Sequence, residues 1–319
     1  MKKRFAMILT MTFVLALTGC SGAASDAEDQ SSGVQEEPSD SGDSGSSGEE
    51  SSDAQIQSYG TLVEVDGGRM NVLVVGEGDT SIVWMPGFSD IAPGLSYTKI
   101  LEELSPRYKV YVAEPFGYGL SDVTDKPRTM ENITSEIHEA VRKLGADNYV
   151  LVAHSLSGIY AMEYVNDYRD EIIAYVGLDT STPNMRDEIS MDVELGEMTD
   201  VVIPEVSDEI NRQYQLIAEK VSMNANWIDE NERMTENFEK SKEYSLPEDL
   251  PVAFFLAQDG VDDWAMMPVE NNDWVKMHQD LIPEGAYSQI LVMDGGHMLY
   301  QTNYKEVAEA LDRFLAEMP

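Results

Sequence analysis

Residues 149–153 read Tyr-Val-Leu-Val-Ala, apolar on both alternating faces, and are followed at once by the small and polar run His154, Ser155, Leu156, Ser157 and Gly158. A strand with no polar face must be covered on both sides, which puts it in the middle of a parallel sheet with helices above and below. The same strand-then-helix rhythm surrounds it. Apolar β-rich runs stand at 61–65, 70–75, 81–85, 109–113, 171–178, 251–257 and 288–293, the first two joined by the hairpin signal Asp66-Gly67-Gly68. Helical stretches are predicted at 91–104, 130–144, 157–168, 269–281 and 304–316; the second carries Ile133, Ile137, Val141 and Leu144 at helical spacing and stops at Gly145. The rhythm breaks only over 183–246, which holds amphipathic helical stretches near 208–221 and 229–244. The expected fold is α/β: a mostly parallel eight-stranded sheet, helices on both faces, and a helical cap inserted after the sixth strand.

The chain ahead of this domain reads differently. Lys2, Lys3 and Arg4 precede an apolar run from 5 to 17, too short to span a bilayer. It ends in Leu17-Thr18-Gly19-Cys20, which resembles the bacterial lipobox, where the cysteine is lipidated and the chain is cut before it. That resemblance implies a signal peptide over 1–19, a lipid on Cys20, and residence in the cell envelope on the outer side of the cytoplasmic membrane. Residues 21–58 are rich in Ser and Gly and hold ten acidic residues with no Lys or Arg, so 20–58 is expected to be a disordered tether for a domain over 59–319. Cys20 is the only cysteine, which excludes an internal disulfide and any zinc site built on cysteine pairs. With 21 Lys and Arg against 59 Asp and Glu, a net charge of −38, the chain lacks the basic face that a nucleic acid or an anionic lipid surface needs. Membrane attachment is therefore expected through Cys20 alone.

In open parallel sheets, ligands bind beyond the carboxyl ends of the strands. Ser155 stands there with small residues two before and two after it, Ala153 and Ser157, as a nucleophile on a cramped strand-to-helix turn requires. The arrangement resembles the α/β-hydrolase family, whose pattern usually has glycine at both of those places. Pro86-Gly87-Phe88 after the third strand is similar to the family's oxyanion loop, with Pro86 where histidine is usual. The resemblance implies an oxyanion hole made by the backbone N–H groups of Phe88 and Leu156. Glu114-Pro-Phe-Gly-Tyr-Gly-Leu-Ser121 resembles the family's rim loop, a structural part. A serine needs an imidazole to take its proton. Of the four histidines, His138 and His278 fall in predicted helices, facing solvent in the simplest reading, and His154 points away from the site in the family. His297 lies in the Gly-rich loop Asp294-Gly295-Gly296 after the last strand, in the chain order this fold uses. The acid that orients His297 is expected after the seventh strand at Asp259, with Asp179 after the sixth strand and Asp262 as alternatives.

These residues lead to an expected serine hydrolase that cleaves a carboxylic ester or related acyl bond of a small neutral or amine-bearing substrate through an acyl-enzyme, without cofactor. The surplus of acid disfavours anionic substrates. Asp259, Asp262 and Asp263 lack the alternation of a calcium loop, so no metal is expected. Family members that open epoxides or remove halides use aspartate at the place of Ser155. The alternatives are a proline-iminopeptidase-like aminopeptidase, a cofactor-free haloperoxidase or C–C hydrolase, and an inactive hydrolase scaffold serving as a surface-binding module.

Overall fold

The computed structural model describes residues 55–188 and 201–319; the leader, Cys20, the acidic segment through 54 and, within the cap, Met191 and Met198 lie outside them. The domain opens with strands β1 (Thr61–Val65), β2 (Gly68–Val75) and β3 (Thr80–Met85), then helices α1 (Pro93–Ser96) and α2 (Thr98–Leu104) and strand β4 (Tyr108–Glu114). It continues with α3 (Met130–Lys143), β5 (Tyr149–His154), α4 (Ser157–Asp167) and β6 (Ile172–Leu178). Helices α5 (Met185–Glu188), α6 (Asp208–Val221) and α7 (Ala225–Ser241) stand between β6 and β7 (Val252–Ala257). The chain ends with α8 (Gln258–Met266), α9 (Trp274–Gln279), β8 (Ser288–Met293), α10 (Leu299–Thr302) and α11 (Tyr304–Glu317).

The eight strands form one sheet in the order β1-β2-β4-β3-β5-β6-β7-β8. Pairing is antiparallel from β1 to β2 and from β2 to β4, and parallel thereafter. As its sequence requires, β5 is central, and all six of its residues are buried. Its odd residues join a core layer with α3, α4 and α9; its even residues face a second layer with α2 and α11. A third apolar cluster joins Ile217, Ala218 and Val221 of α6 and Trp227 of α7 to Ile91, Ala92 and Tyr118.

Local chemistry explains the element ends. The Thr129 hydroxyl accepts from the Asn132 N–H at the start of α3, Glu131 is in its first turn, and Arg142 and Lys143 are in its last, all favourable to the helix dipole. The predicted helix over 91–104 is two short helices that meet at Tyr97. The predicted helix over 269–281 shrinks to α9, which starts only after Asp273 caps the Lys276 N–H. Residues 258–266, where no helix is predicted, are helix α8, which follows β7 without a break. Asp259 in its first turn faces the positive helix end, which offsets the cost of Gly260.

The expected tether reached to 58, yet its last residues are engaged. The Gln57 N–H donates to Gln213 Oε1 of α6 at 2.8 Å, Gln213 Nε2 donates to the Gln55 carbonyl at 3.3 Å, and Ile56 and Tyr59 pack on the third cluster.

Candidate active site

The turn after β5 holds Ser155 at φ 54°, a left-handed conformation that costs a non-glycine residue about 1–3 kcal/mol and persists only where neighbours enforce it. The Ser155 N–H donates to the Leu178 carbonyl at 3.3 Å, and the Ser155 carbonyl accepts from the Ser181 N–H at 2.9 Å, so the turn is tied to the end of β6. Helix α4 then leaves past that end so closely that a Cβ on Gly158 would stand 2.5 Å from the Ser181 carbonyl oxygen. Ser157, in a place where the family has glycine, uses its hydroxyl: Oγ donates to the Pro86 carbonyl. Gly87 has no such latitude, since a Cβ there would lie 2.7 Å from His154 Nδ1 and 2.9 Å from Ser155 Cβ. Two departures from the family pattern, Pro86 and Ser157, are thus partners in one hydrogen bond between the loop after β3 and the start of α4. Among the described residues, the backbone N–H groups of Phe88 and Leu156 have no hydrogen-bond partner.

His297 lies in the loop after β8, half-buried. Its Nε2 is 2.8 Å from Ser155 Oγ, and its Nδ1 is 2.6 Å from Asp179 Oδ2. Asp179 directly follows β6, also at positive φ, and is 5% exposed. Its other oxygen accepts from the Ala257 N–H at 3.1 Å and Trp274 Nε1 at 3.3 Å. Burial pushes the Asp179 carboxyl up, but the hydrogen bond and charge of His297 and the N–H groups of Ala257 and Trp274 outweigh it, and the net shift is below the ordinary carboxylate range. An ionised Asp179 can only accept, so the proton of neutral His297 sits on Nδ1 and Nε2 is free to accept from Ser155.

Asp259, the acid preferred from the sequence, is therefore corrected to Asp179 as the partner of Nδ1. Because β7 passes straight into α8, Asp259 is carried onto a helix's first turn, where it is exposed and its backbone N–H donates to the Gly295 carbonyl at 3.1 Å. Asp262, one turn on, is exposed and accepts from Gln258 Nε2.

His278 and His138 also differ from their reading. His278 is not solvent-facing but 0% exposed, with Nδ1 and Nε2 each 2.9 Å from a carbonyl oxygen, those of Trp274 and Thr180. His138 is half-buried, stacked on Tyr168 with ring centroids 3.5 Å apart and hydrogen-bonded to Glu171. His154 is buried beneath His297: its Nε2 is 3.2 Å from the His297 carbonyl oxygen, and burial, then the neighbouring His297, lower its pKa to about 3. It stays neutral and donates to that carbonyl, bracing the loop that carries His297. Glu114 has the structural place expected of it, accepting from Tyr59, Asn71 and the N–H groups of Gly94 and Leu120. Sequence reasoning missed Trp274, which steadies Asp179 and is itself stacked on Trp264 with centroids 5.0 Å apart. Its one local signal is the Asp273 cap that starts α9.

The site thus has a hydroxyl, an imidazole and a carboxylate in one hydrogen-bonded line. Residues 72–310 match the family model described as the alpha/beta hydrolase family. The chain belongs to the alpha/beta hydrolase family. Among curated proteins, the chain is 34% identical over 131 residues to the uncharacterized protein YbdG of Bacillus subtilis (strain 168), covering 41% of this chain and 40% of that protein. It is 29% identical over 77 residues to epoxide hydrolase 1 of Caenorhabditis elegans, covering 23% of this chain and 18% of that protein. The chain spans less than half the length of either. Crystal structures of an epoxide hydrolase from Vigna radiata (17% identity, TM-score 0.60) and of Epoxide Hydrolase A from Mycobacterium thermoresistibile (16%, 0.61) share the hydrolase fold, each covering 81% of this chain and 98% of its own.

Proposed function

We propose that this alpha/beta hydrolase is a serine esterase that transfers the acyl group of a small neutral or amine-bearing ester to water. The observation that carries the reading is the unbroken line from Ser155 Oγ through His297 to Asp179. Ser155 Oγ attacks the ester carbonyl carbon as its proton passes to His297 Nε2, and the carbonyl oxygen, now negative, accepts from the N–H groups of Phe88 and Leu156. His297 gives its proton to the departing alcohol oxygen as the C–O bond breaks. Water then attacks the acyl-enzyme by the same route in reverse, returning the proton to Ser155. Asp179 stabilises the imidazolium at each tetrahedral stage.

Epoxide opening, the activity named for several relatives, does not suit this nucleophile. A serine oxygen that opens an epoxide forms an ether, which water does not cleave; a carboxylate forms an ester, which it does. The cap carries more acid than base, so anionic acyl donors are disfavoured. The reading of Cys20 as a lipid attachment point belongs to the same proposal and places the enzyme outside the cytoplasmic membrane; loss of metabolic fatty-acid labelling in Cys20→Ser checks it. The decisive experiment for the activity is covalent labelling by a fluorophosphonate, followed by a screen of short p-nitrophenyl esters against aminoacyl anilides. Labelling at Ser155 that disappears in Ser155→Ala, with turnover of the esters, is the expected result. A folded protein that takes no label would make the chain a binding scaffold, and preference for the anilides would make it an aminopeptidase.

A further inference from the structure

We infer that Glu230, on cap helix α7, is a positioning residue for the oxyanion loop, acting through the Tyr118 hydroxyl on the Ser89 amide; the catalytic part of this inference rests on the serine-hydrolase reading above. Glu230 is 3% exposed, and both of its oxygens are engaged by phenols. Tyr118 donates to Oε2 at 2.9 Å and Tyr160 donates to Oε1 at 2.8 Å. The Tyr118 oxygen in turn accepts from the Ser89 N–H at 3.3 Å. Ser89 follows Phe88 directly and is held at φ 59°, a left-handed conformation that a serine keeps only under constraint.

The chemistry of the link is directional. A phenol that donates to a carboxylate makes a charge-assisted bond, and its oxygen becomes a better acceptor for the next donor in line. Burial pushes the Glu230 carboxyl up, against the pull of Arg128 and the two phenols, and its acceptor oxygen tightens the hold on Ser89, and with it the backbone that presents the Phe88 N–H. The second arm reaches Tyr160 on α4, the helix whose start carries Leu156. One cap carboxylate thus braces both elements that supply donors to the proposed oxyanion hole. The ring of Trp227, 5.6 Å from that of Tyr118, fixes the phenol from the cap side. A substrate ammonium is a poor alternative partner for Glu230, because both oxygens are already taken and the group is sealed from solvent.

The test uses Tyr118→Phe, Glu230→Gln and the double variant, with ester kinetics and amide hydrogen exchange at Ser89. Tyr118→Phe keeps the ring and fills the same space, so it remains informative should Glu230→Gln unfold. Each single change is expected to lower kcat about tenfold with KM within about twofold, since the lost interaction serves the transition state. The double variant should be no slower than the worse single one, because both break the same link. Exchange at the Ser89 amide should quicken about tenfold or more in each. Wild-type kcat and unchanged Ser89 exchange in both variants would overturn the inference, as would a rise in KM confined to amine-bearing substrates in Glu230→Gln. A wild-type protein inert to fluorophosphonate would instead remove the hydrolase reading, and the exchange measurement would still decide whether Glu230 governs Ser89.

Discussion

Asp179 sits within hydrogen-bond reach of His297 because β6 ends at Leu178 and the backbone turns left-handed at the next residue. Asp179→Asn should cost about 10³–10⁴ in kcat, since an amide stabilises neither the imidazolium nor the required tautomer, whereas Asp259→Asn should stay within about threefold of wild type. Steady-state kinetics on one ester separates the two. Asp90, in the loop after β3, gives a second prediction. It accepts from Ser96 Oγ at 2.8 Å, yet burial pushes its carboxyl up to about 7. A folded-state pKa above the unfolded value means the native state holds the proton more tightly, so its contribution to stability declines as pH rises from the ordinary carboxylate range toward about 7. Asp90→Asn abolishes that decline, and its melting temperature relative to wild type should rise between about pH 5 and about pH 8. Ser155 and His297 were legible in the sequence because each is marked by its immediate neighbours. The acid was ambiguous because its partner is chosen by where two strands end, and Gly177-Leu178-Asp179 and Gln258-Asp259-Gly260 look alike until the start of α8 is known.

Whole elements were read best where one face is apolar and the ends are capped. Helix α6 spans the residues its periodicity predicts, and α3 differs by one residue at its end. Helix α8 escaped because a glycine and three aspartates within six residues imitate a loop, and α9 was overdrawn because the stretch before Asp273, Val269 followed by Glu270, Asn271 and Asn272, has no helical start of its own. Helix α7 begins four residues earlier than its pattern suggests, since Asn224 caps it by accepting from the N–H groups of Asn226 and Trp227. The same side chain donates to the Gly117 carbonyl in the rim loop at 2.7 Å. Asn224→Ala removes cap and cross-link together, and should lower stability by about 1–2 kcal/mol, read from the denaturant midpoint at constant slope.

The whole molecule is a sheet whose strand ends meet under an acidic cap, in a chain of net charge −38. Self-repulsion of that size opposes the compact state and is screened by salt. Raising ionic strength from about 0.05 M to about 0.5 M should therefore lift the melting temperature by several degrees, followed by circular dichroism. Alternating strands and helices made this architecture legible from sequence. The contact of 55–58 with α6 was not, because nothing in Gln-Ile-Gln-Ser distinguishes a docked strip from the acidic run before it. That contact has a mechanical consequence. The polypeptide meets α6 before it reaches β1, and Gln213 grips it from both sides of Ile56. Traction applied upstream of Gln55 is consequently borne first by α6, through the grip of Gln213, and only afterwards by β1 and the sheet edge.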